Sequence, residues 1–188
     1  MKWNAEQYET QHAFVFKYGA NLLDQVPKTA TSVLDVGCGT GDLTDQLRQR
    51  GCAVLGIDQS AEMIAEAEKL YPETSFVQQD ITTMPIVHTY DVVFSNAVFH
   101  WITDQNQLLS QINRSLNLNG RLICEFGAAG NVAAICGAFG DELHALGLHY
   151  PVPFFFPVTT AYQQLLEKHG FEVTDMLAYD WPTILQGS

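Results

Sequence analysis

Two hydrophobic periods alternate along this chain. From Ser32 onward, short apolar runs rich in β-branched residues (SVLDVG, CAVLGID, SFVQQD) are interleaved with polar segments such as DLTDQLRQR and AEMIAEAEKL. The runs read as strands, and the segments between them, apolar at every third or fourth position, read as amphipathic helices. This alternation predicts βαβ units around a parallel sheet. The punctuation agrees. Leu43 and Leu47 lie one turn apart and Gly51 stops that helix; Ser60 is placed to cap the next, whose Met63, Ile64, Ala67 and Leu70 share a face ending at Tyr71-Pro72. YDVVFSN (90–96) and GRLICEF (120–126) add two strands, separated by a helix carrying Leu108, Leu109, Ile112 and Leu116.

Before this core, Val15, Tyr18 and Leu22 share one face of a predicted helix that ends near Pro27. After the fifth strand the pattern gives way to a glycine-rich, aromatic stretch, expected as short helices plus a loop. AYQQLLEKHG then resumes as a helix and FEVTDMLAYDW as a sixth strand. The expected fold class is α/β: a doubly wound, Rossmann-like, mostly parallel sheet with helices on both faces.

Composition narrows the function classes. With 188 residues, 47% of them hydrophobic, the chain can bury one core and is short for two, so a single domain over 1–188 is expected. Nine Lys and Arg against 21 Asp and Glu give a formal charge of −12, the wrong sign for neutralising phosphate backbones. Neither nucleic acid nor an anionic membrane is therefore an expected partner. Cys38, Cys52, Cys124 and Cys136 form no C-x-x-C pair and no grouping of metal-ligand spacing, so no metal is expected, and they read as small buried residues of a reduced compartment. The N-terminus lacks an apolar signal core and no stretch approaches the roughly 18 apolar residues of a membrane span. A soluble, cytoplasmic protein is expected.

The candidate chemistry begins at SVLDVGCGTGDL, where a strand ends in an acid and runs into Gly37, Gly39 and Gly41. Such a loop lets a ligand approach the backbone and the following helix N-terminus at the carboxyl edge of the sheet. Nucleotide sites of several kinds share the device. Here the spacing is G-x-G-x-G, Asp42 occupies the place of a third dinucleotide glycine, and Asp35 sits just inside the strand end. A pyrophosphate would meet two carboxylates there. S-adenosylmethionine, which carries a sulfonium and an ammonium group, is better matched. CAVLGID ends in Asp58, placed to accept both hydroxyls of an adenosine ribose, and QQDI puts Asp80 beside the same crevice, within reach of an adenine amino group. Each acid alone could be a helix N-cap, as Asp often is after a strand. Three at consecutive strand tips favour a ligand.

LDVGCGTG (34–41), GIDQSAEMI (56–64), QQDI (78–81) and SNAVFHWI (95–102) together resemble the class I S-adenosylmethionine-dependent methyltransferases, in order and spacing, over nearly the whole chain. SNAVFHWI with Trp3, Asn4 and Tyr8 is most similar to the group that holds trans-aconitate methyltransferase and the malonyl-thioester methyltransferase of biotin synthesis. The resemblance implies that 1–27 is an N-terminal lid, 28–126 the donor-binding core, 127–160 an acceptor cap inserted after the fifth strand, and 161–188 the last helix and strand. It implies that Gly37, Cys38 and Gly39 pack against the methionine part of S-adenosylmethionine, with Asp35 acting on its cationic end directly or through water. Asp58 would hold the ribose, Gln59 and Met63 would flank the adenine, and Asp80 with Ile81 would close on the ring. Met63 reads equally as helix core. Asn96 and Ala97 would face the reacting methyl, and S-adenosylhomocysteine would be the product.

His100 and Trp101 leave the fourth strand towards the acceptor, and Trp3, Tyr8 and His12 lie on the expected lid. His100 and Tyr8 are the candidate catalytic groups; Trp3, His12, His100, Trp101 and Phe154 are the candidate substrate contacts. A His beside a Trp reads as a base, an orienter or a packing residue. In-line methyl transfer to an ionised carboxylate needs no base, so binding comes first for His100. Between Leu122 and Glu167 there is no Lys or Arg, whereas aromatic side chains abound. A tricarboxylate would want cations, so unless Lys2, Lys17 or Arg114 reaches the site the expected acceptor is neutral, aromatic, or a single acid on an apolar body. The expected activity is methylation of a small molecule, at the oxygen of a carboxylic acid or similar group. A noncatalytic module that binds S-adenosylmethionine as sensor or scaffold is the alternative, and a nicotinamide oxidoreductase fits the loop less well. A homodimer is the remaining expectation for partners. The family's seventh, antiparallel strand has no counterpart before the sequence stops at DWPTILQGS, which reads first as truncation, and otherwise as completion of the sheet by a partner subunit or by nonstandard pairing.

Overall fold

The computed structural model of the chain describes residues 21–85, 89–149 and 151–180. Among these residues five strands form one sheet: β1 (Ser32–Val36), β2 (Ala53–Asp58), β3 (Ser75–Gln78), β4 (Tyr90–Asn96) and β5 (Leu116–Glu125). Their order is β3-β2-β1-β4-β5, and every pairing is parallel. The chain winds outward from β1 to β3 and then returns to place β4 on the other side of β1. Strand order reverses between β1 and β4, and a crevice at that switch, outside the carboxyl ends, is where such sheets take ligands.

The helices are α1 (Asp42–Gln49), α2 (Ala61–Leu70), α3 (Gln105–Ser115), α4 (Ala133–Ala145) and α5 (Thr159–Lys168), with a 3₁₀ turn at Phe99–Trp101. Alternation along the strands divides the core. Leu34 and Val36 of β1 pack with Leu108, Leu109 and Ile112 of α3 and with Tyr162 and Leu166 of α5. Val33, Val92 and Phe94 turn to the opposite face, under Leu43 and Leu47 of α1 and under Leu23 and Val26. Each fully buried Leu of this kind contributes about 1.5–3 kcal/mol relative to exposure. Ser60 caps α2 as expected, its Oγ accepting the Met63 N–H at 3.3 Å, and Gly51 takes φ 95° just past α1.

The structure departs from the sequence-based expectations in four places. β5 begins at Leu116 instead of Gly120, because Leu116 pairs with Tyr90 before the register jumps to Arg121 opposite Val92; the residues between loop out, with Asn119 at φ 63°. The stretch after β5 carries α4, one helix of 13 residues, and none of its side chains is buried. No strand lies within 171–180, the described part of the expected sixth strand. There Phe171, Val173 and Met176 pack against the first core cluster. The alternating pattern is thus satisfied by burial of side chains without a backbone ladder. Asp80 falls two residues beyond the end of β3, in a turn. Of the predicted N-terminal helix, residues 21–23 are helical; Val15 and Tyr18 lie outside the described residues. Among the described residues no helix is long and apolar enough to cross a membrane.

Candidate functional site

Four amides of the loop between β1 and α1 are used internally. Gly37 N–H and Cys38 N–H both donate to the Ile57 carbonyl, at 2.8 and 3.0 Å, and Gly41 N–H donates to the Cys38 carbonyl at 3.0 Å. Gly39 N–H donates to Asp58 Oδ2 at 3.1 Å. A pyrophosphate loop needs such donors aimed at the ligand. These four are spent on β2 and on the loop itself and are not free for a phosphate.

All three glycines have positive φ, but for different reasons. A Cβ on Gly37 would lie 2.2 Å from Val98 Cγ2, and one on Gly41 would lie 2.5 Å from Phe76 Cζ; both are packing positions. A Cβ on Gly39 would meet nothing within 4 Å. At Gly39 the side chain is absent where the loop faces the crevice. The loop is open on that side.

Asp58, at the tip of β2, is half-buried, and its other oxygen, Oδ1, accepts the Ser60 N–H at 2.8 Å. Burial raises its pKa, opposed by the bonds from Ser60, Gly39 and Gln59. A carboxylate offers about four acceptor sites, so Asp58 keeps acceptor capacity beyond these two bonds. Asp35 is placed differently from its neighbour. It is 2% exposed, behind the loop, where Oδ2 accepts the Thr44 hydroxyl at 2.6 Å. Burial lifts it to about 7, offset by the Thr44 bond and reinforced by the charge of Asp58. Asp42 serves α1, accepting from Gln46 and from the Tyr71 hydroxyl.

At the far end of the crevice, Asp80 Oδ1 accepts the Thr82 N–H and hydroxyl at 2.8 and 2.7 Å. Gln59 is exposed, its carbonyl accepting from Gln78, while Met63 and Ile81 are each 3% exposed. Cys38 is buried beneath the loop, and burial together with Asp35 and Asp58 pushes its thiol far up. Asn96 ends β4. Ala97 follows it at φ 60°, a strained conformation for a residue with a Cβ, held by donation of its N–H to the Glu125 carbonyl at 2.7 Å.

His100 and Trp101 sit in the 3₁₀ turn beyond β4, where they meet Phe154 and Phe156. The ring centroids are 4.7 Å apart for Trp101 and Phe154, 5.6 Å for His100 and Phe156, and 5.2 Å for Phe154 and Phe156. Phe155 faces the other way, onto the core beside Tyr162. The segment is fixed by backbone bonds at two points, Phe155 N–H to the His100 carbonyl and Ala129 N–H to the Pro157 carbonyl, both 2.8 Å. Gly127 N–H donates to His100 Nδ1 at 3.3 Å, and burial pushes the imidazole down to about 4. Beneath the turn, buried Gln105 donates from Nε2 to the carbonyls of Phe99 and Ile102 at 2.8 and 2.6 Å, and accepts the Tyr162 hydroxyl at 3.0 Å.

Sequence reasoning named His100, Trp101 and Phe154 but not Phe156, Gln105 or Glu125. Phe156 was legible as the second same-side residue of PFFFP, and Glu125 as another acid ending an apolar strand. No local pattern marked Gln105. Trp3, Tyr8 and His12, with Lys2 and Lys17, lie outside the described residues. Arg114 is in the last turn of α3, at the opposite edge of the sheet, donating to Gln111 Oε1.

A family profile described as a methyltransferase domain matches residues 34–124. An uncharacterized methyltransferase of Schizosaccharomyces pombe is 33% identical over 97% of this chain and 75% of its own length. A trans-aconitate 2-methyltransferase of Deinococcus radiodurans is 32% identical, over 100% of this chain and 77% of its own length. Among solved structures, a TehB-like SAM-dependent methyltransferase from Corynebacterium glutamicum has a TM-score of 0.64 at 24% identity, covering 88% of this chain and 82% of that one, a likeness of fold.

Proposed function

The chain belongs to the class I S-adenosylmethionine-dependent methyltransferases, and we propose that it moves the methyl group of S-adenosylmethionine to an oxygen of a small acceptor with an apolar or aromatic body. The observation that carries the donor assignment is the loop: the amides of its three glycines and of Cys38 are paired within the protein, Gly39 faces open space, and an acid stands at the tip of β2. The residues present fit the donor. Asp58 would accept the ribose hydroxyls, and the loop at Gly39 would pack against the methionine chain. Asp80 Oδ2, to which no donor is assigned among the described residues, would accept from the adenine amino group. Asp35 supplies negative potential behind the loop for the cationic end.

When bound, S-adenosylmethionine supplies an activated methyl on a sulfonium. The rest falls to positioning by this chain. His100, Trp101, Phe154 and Phe156 form an aromatic wall at the tip of β4 that would hold the acceptor body and exclude water. With Nδ1 engaged by Gly127, neutral His100 presents Nε2–H, a donor suited to an acceptor oxygen. The acceptor class draws on the absence of Lys and Arg between Leu122 and Glu167 and on the remoteness of Arg114. A tricarboxylate has no cationic partner among the described residues of this wall.

The test is transfer of radiolabelled methyl from S-adenosylmethionine to a panel of small hydroxyl compounds, monocarboxylates, tricarboxylates and amines. The expected product is an O-methyl compound of a molecule with an apolar body. Turnover confined to tricarboxylates would overturn the acceptor class.

A further inference from the structure

Glu125 closes β5, and in register it is the partner of Asn96 at the tip of β4. Its carbonyl holds Ala97, and two residues later Gly127 holds His100. The segment from Glu125 to Gly127 is therefore tied to the chain at Ala97 and at His100, on which the aromatic wall is built. Alternation decides where its side chain stands. Cys124 and Phe126 pack on the cluster under α3 and α5, whereas Ile123 packs with Phe94 on the other face. Glu125 shares that second face with Asn96, the face onto which the glycine loop delivers α1.

The carboxylate is poorly satisfied there. Tyr179 lies near enough to favour the ionised carboxyl, and Oε1 is buried and meets no donor among the described residues. Leaving a buried carboxylate oxygen without a donor is costly, and such a group calls for an explanation, a catalytic role among them. Burial raises the carboxyl above its ordinary range, against the lowering effect of Tyr179. His100 cannot serve as a base in this corner, because its Nδ1 already accepts from Gly127.

We propose that Glu125 Oε1 accepts the hydrogen of the acceptor's nucleophile and takes that proton as the methyl arrives, so that the acceptor is a hydroxyl group on an aromatic or apolar body and not a carboxylate. The acceptor O–H bond breaks and an O–CH₃ bond forms. The C–S bond of the sulfonium breaks with its electron pair left on sulfur, giving a neutral thioether, and the proton resides on Glu125 until product leaves. A carboxylate acceptor has no hydrogen to offer at neutral pH and would set a second negative charge beside Glu125. The inference rests on the reading of the chain as an S-adenosylmethionine-dependent methyltransferase.

The experiment compares wild type with Glu125→Gln, which keeps the shape and one oxygen, and with Glu125→Asp. Three quantities are read: S-adenosylmethionine affinity by calorimetry, methyl transfer to matched phenols, alcohols and carboxylates, and binding of the same compounds with S-adenosylhomocysteine present. Expected are transfer to hydroxyl compounds, a fall in kcat of about 100-fold or more in Glu125→Gln, unchanged donor affinity, and loss of the acid limb of the kcat–pH profile, with partial recovery in Glu125→Asp. Hydroxyl compounds are expected to bind wild type more tightly than matched carboxylates, and Glu125→Gln to narrow that preference. Methyl ester formation as the main reaction, tighter binding of carboxylates by wild type, or full kcat on hydroxyl acceptors in Glu125→Gln would overturn the proposal. Failure of folded wild type to bind S-adenosylmethionine would remove its premise, a result distinct from each of these.

Discussion

The N–H of Gly127 reaches His100 Nδ1 at 3.3 Å. A backbone N–H can only donate, so Nδ1 is the acceptor and the neutral ring carries its hydrogen on Nε2. Burial pushes the ring down to about 4, from an ordinary value of 6.5. As pH falls below 6.5 the unfolded chain takes up this proton first, so the contribution to stability is full above 6.5 and is lost progressively down to about 4. The kcat/KM profile is therefore expected to show no His100 limb between pH 6 and 9. Nitrogen NMR of the histidine rings should find one ring held as the Nε2–H tautomer at pH 6. Titration of His100 near neutrality would contradict this assignment.

Gly37 and Gly39 separate packing from binding. Gly37→Ala drives a methyl into Val98, and the variant is expected to lose cooperative thermal unfolding or melt far below wild type. Gly39→Ala meets no atom, so only the positive φ opposes it, a cost of about 1–2 kcal/mol. It should stay folded while S-adenosylmethionine affinity falls roughly 10-fold or more, since 1.4 kcal/mol is a factor of ten. Melting curves and calorimetry on the two proteins check this pair. Equal donor affinity in Gly39→Ala and wild type would contradict the contact proposed at Gly39.

Asp35 links pH to stability with the opposite sign from His100. Burial raises it to about 7. A folded-state pKa above the unfolded one means stability that is complete below pH 3.8 and is lost as pH rises through 7. Asp35→Asn keeps a partner for the Thr44 hydroxyl and cannot ionise. The stability difference between variant and wild type is expected to favour the variant increasingly from pH 5 to pH 8, read by denaturant titration at each pH, while S-adenosylmethionine affinity at pH 8 falls. A pH-independent difference would place the Asp35 pKa outside this range.

The Tyr162 hydroxyl and Gln105 Oε1 lie 3.0 Å apart, and Gln105 in turn holds the carbonyls on either side of His100 and Trp101. Tyr162→Phe leaves Gln105 short of a donor in a buried place, a cost of about 1–3 kcal/mol. If this chain of bonds sets the aromatic wall, the acceptor KM should rise several-fold with donor affinity unchanged. A purely structural role would lower stability and leave the KM alone. Melting and steady-state kinetics together distinguish the two.

Much of this arrangement is legible in the sequence. The five strands, the Ser60 cap and the glycine loop follow from local period and punctuation, because each is enforced by residues near one another in the chain. What escapes is nonlocal. FEVTDMLAYDW has the alternation of a strand, yet pairing depends on a neighbour the pattern does not encode, and in 171–180 burial of Phe171, Val173 and Met176 accounts for it instead. Asp35 and Asp58 look alike as acids at strand ends. Only the face each occupies shows that one is bonded to Thr44 behind the loop and the other to Gly39 within it. Gln105 acts through carbonyls in the preceding turn and a hydroxyl on α5, relations no spacing rule reports.

The most direct test of the donor site is calorimetric titration of S-adenosylmethionine and S-adenosylhomocysteine into wild type and Asp58→Ala, with NADH as control. Two charge-assisted bonds to the loop and cap, plus those expected to the ribose, depend on this carboxylate. Each such bond contributes about 1.5–3 kcal/mol, so the variant should bind both ligands at least about 10-fold more weakly. Binding of both adenosyl compounds and not NADH, weakened in Asp58→Ala, is the predicted result. A folded wild-type chain that binds neither, or that binds NADH in their place, would contradict the account.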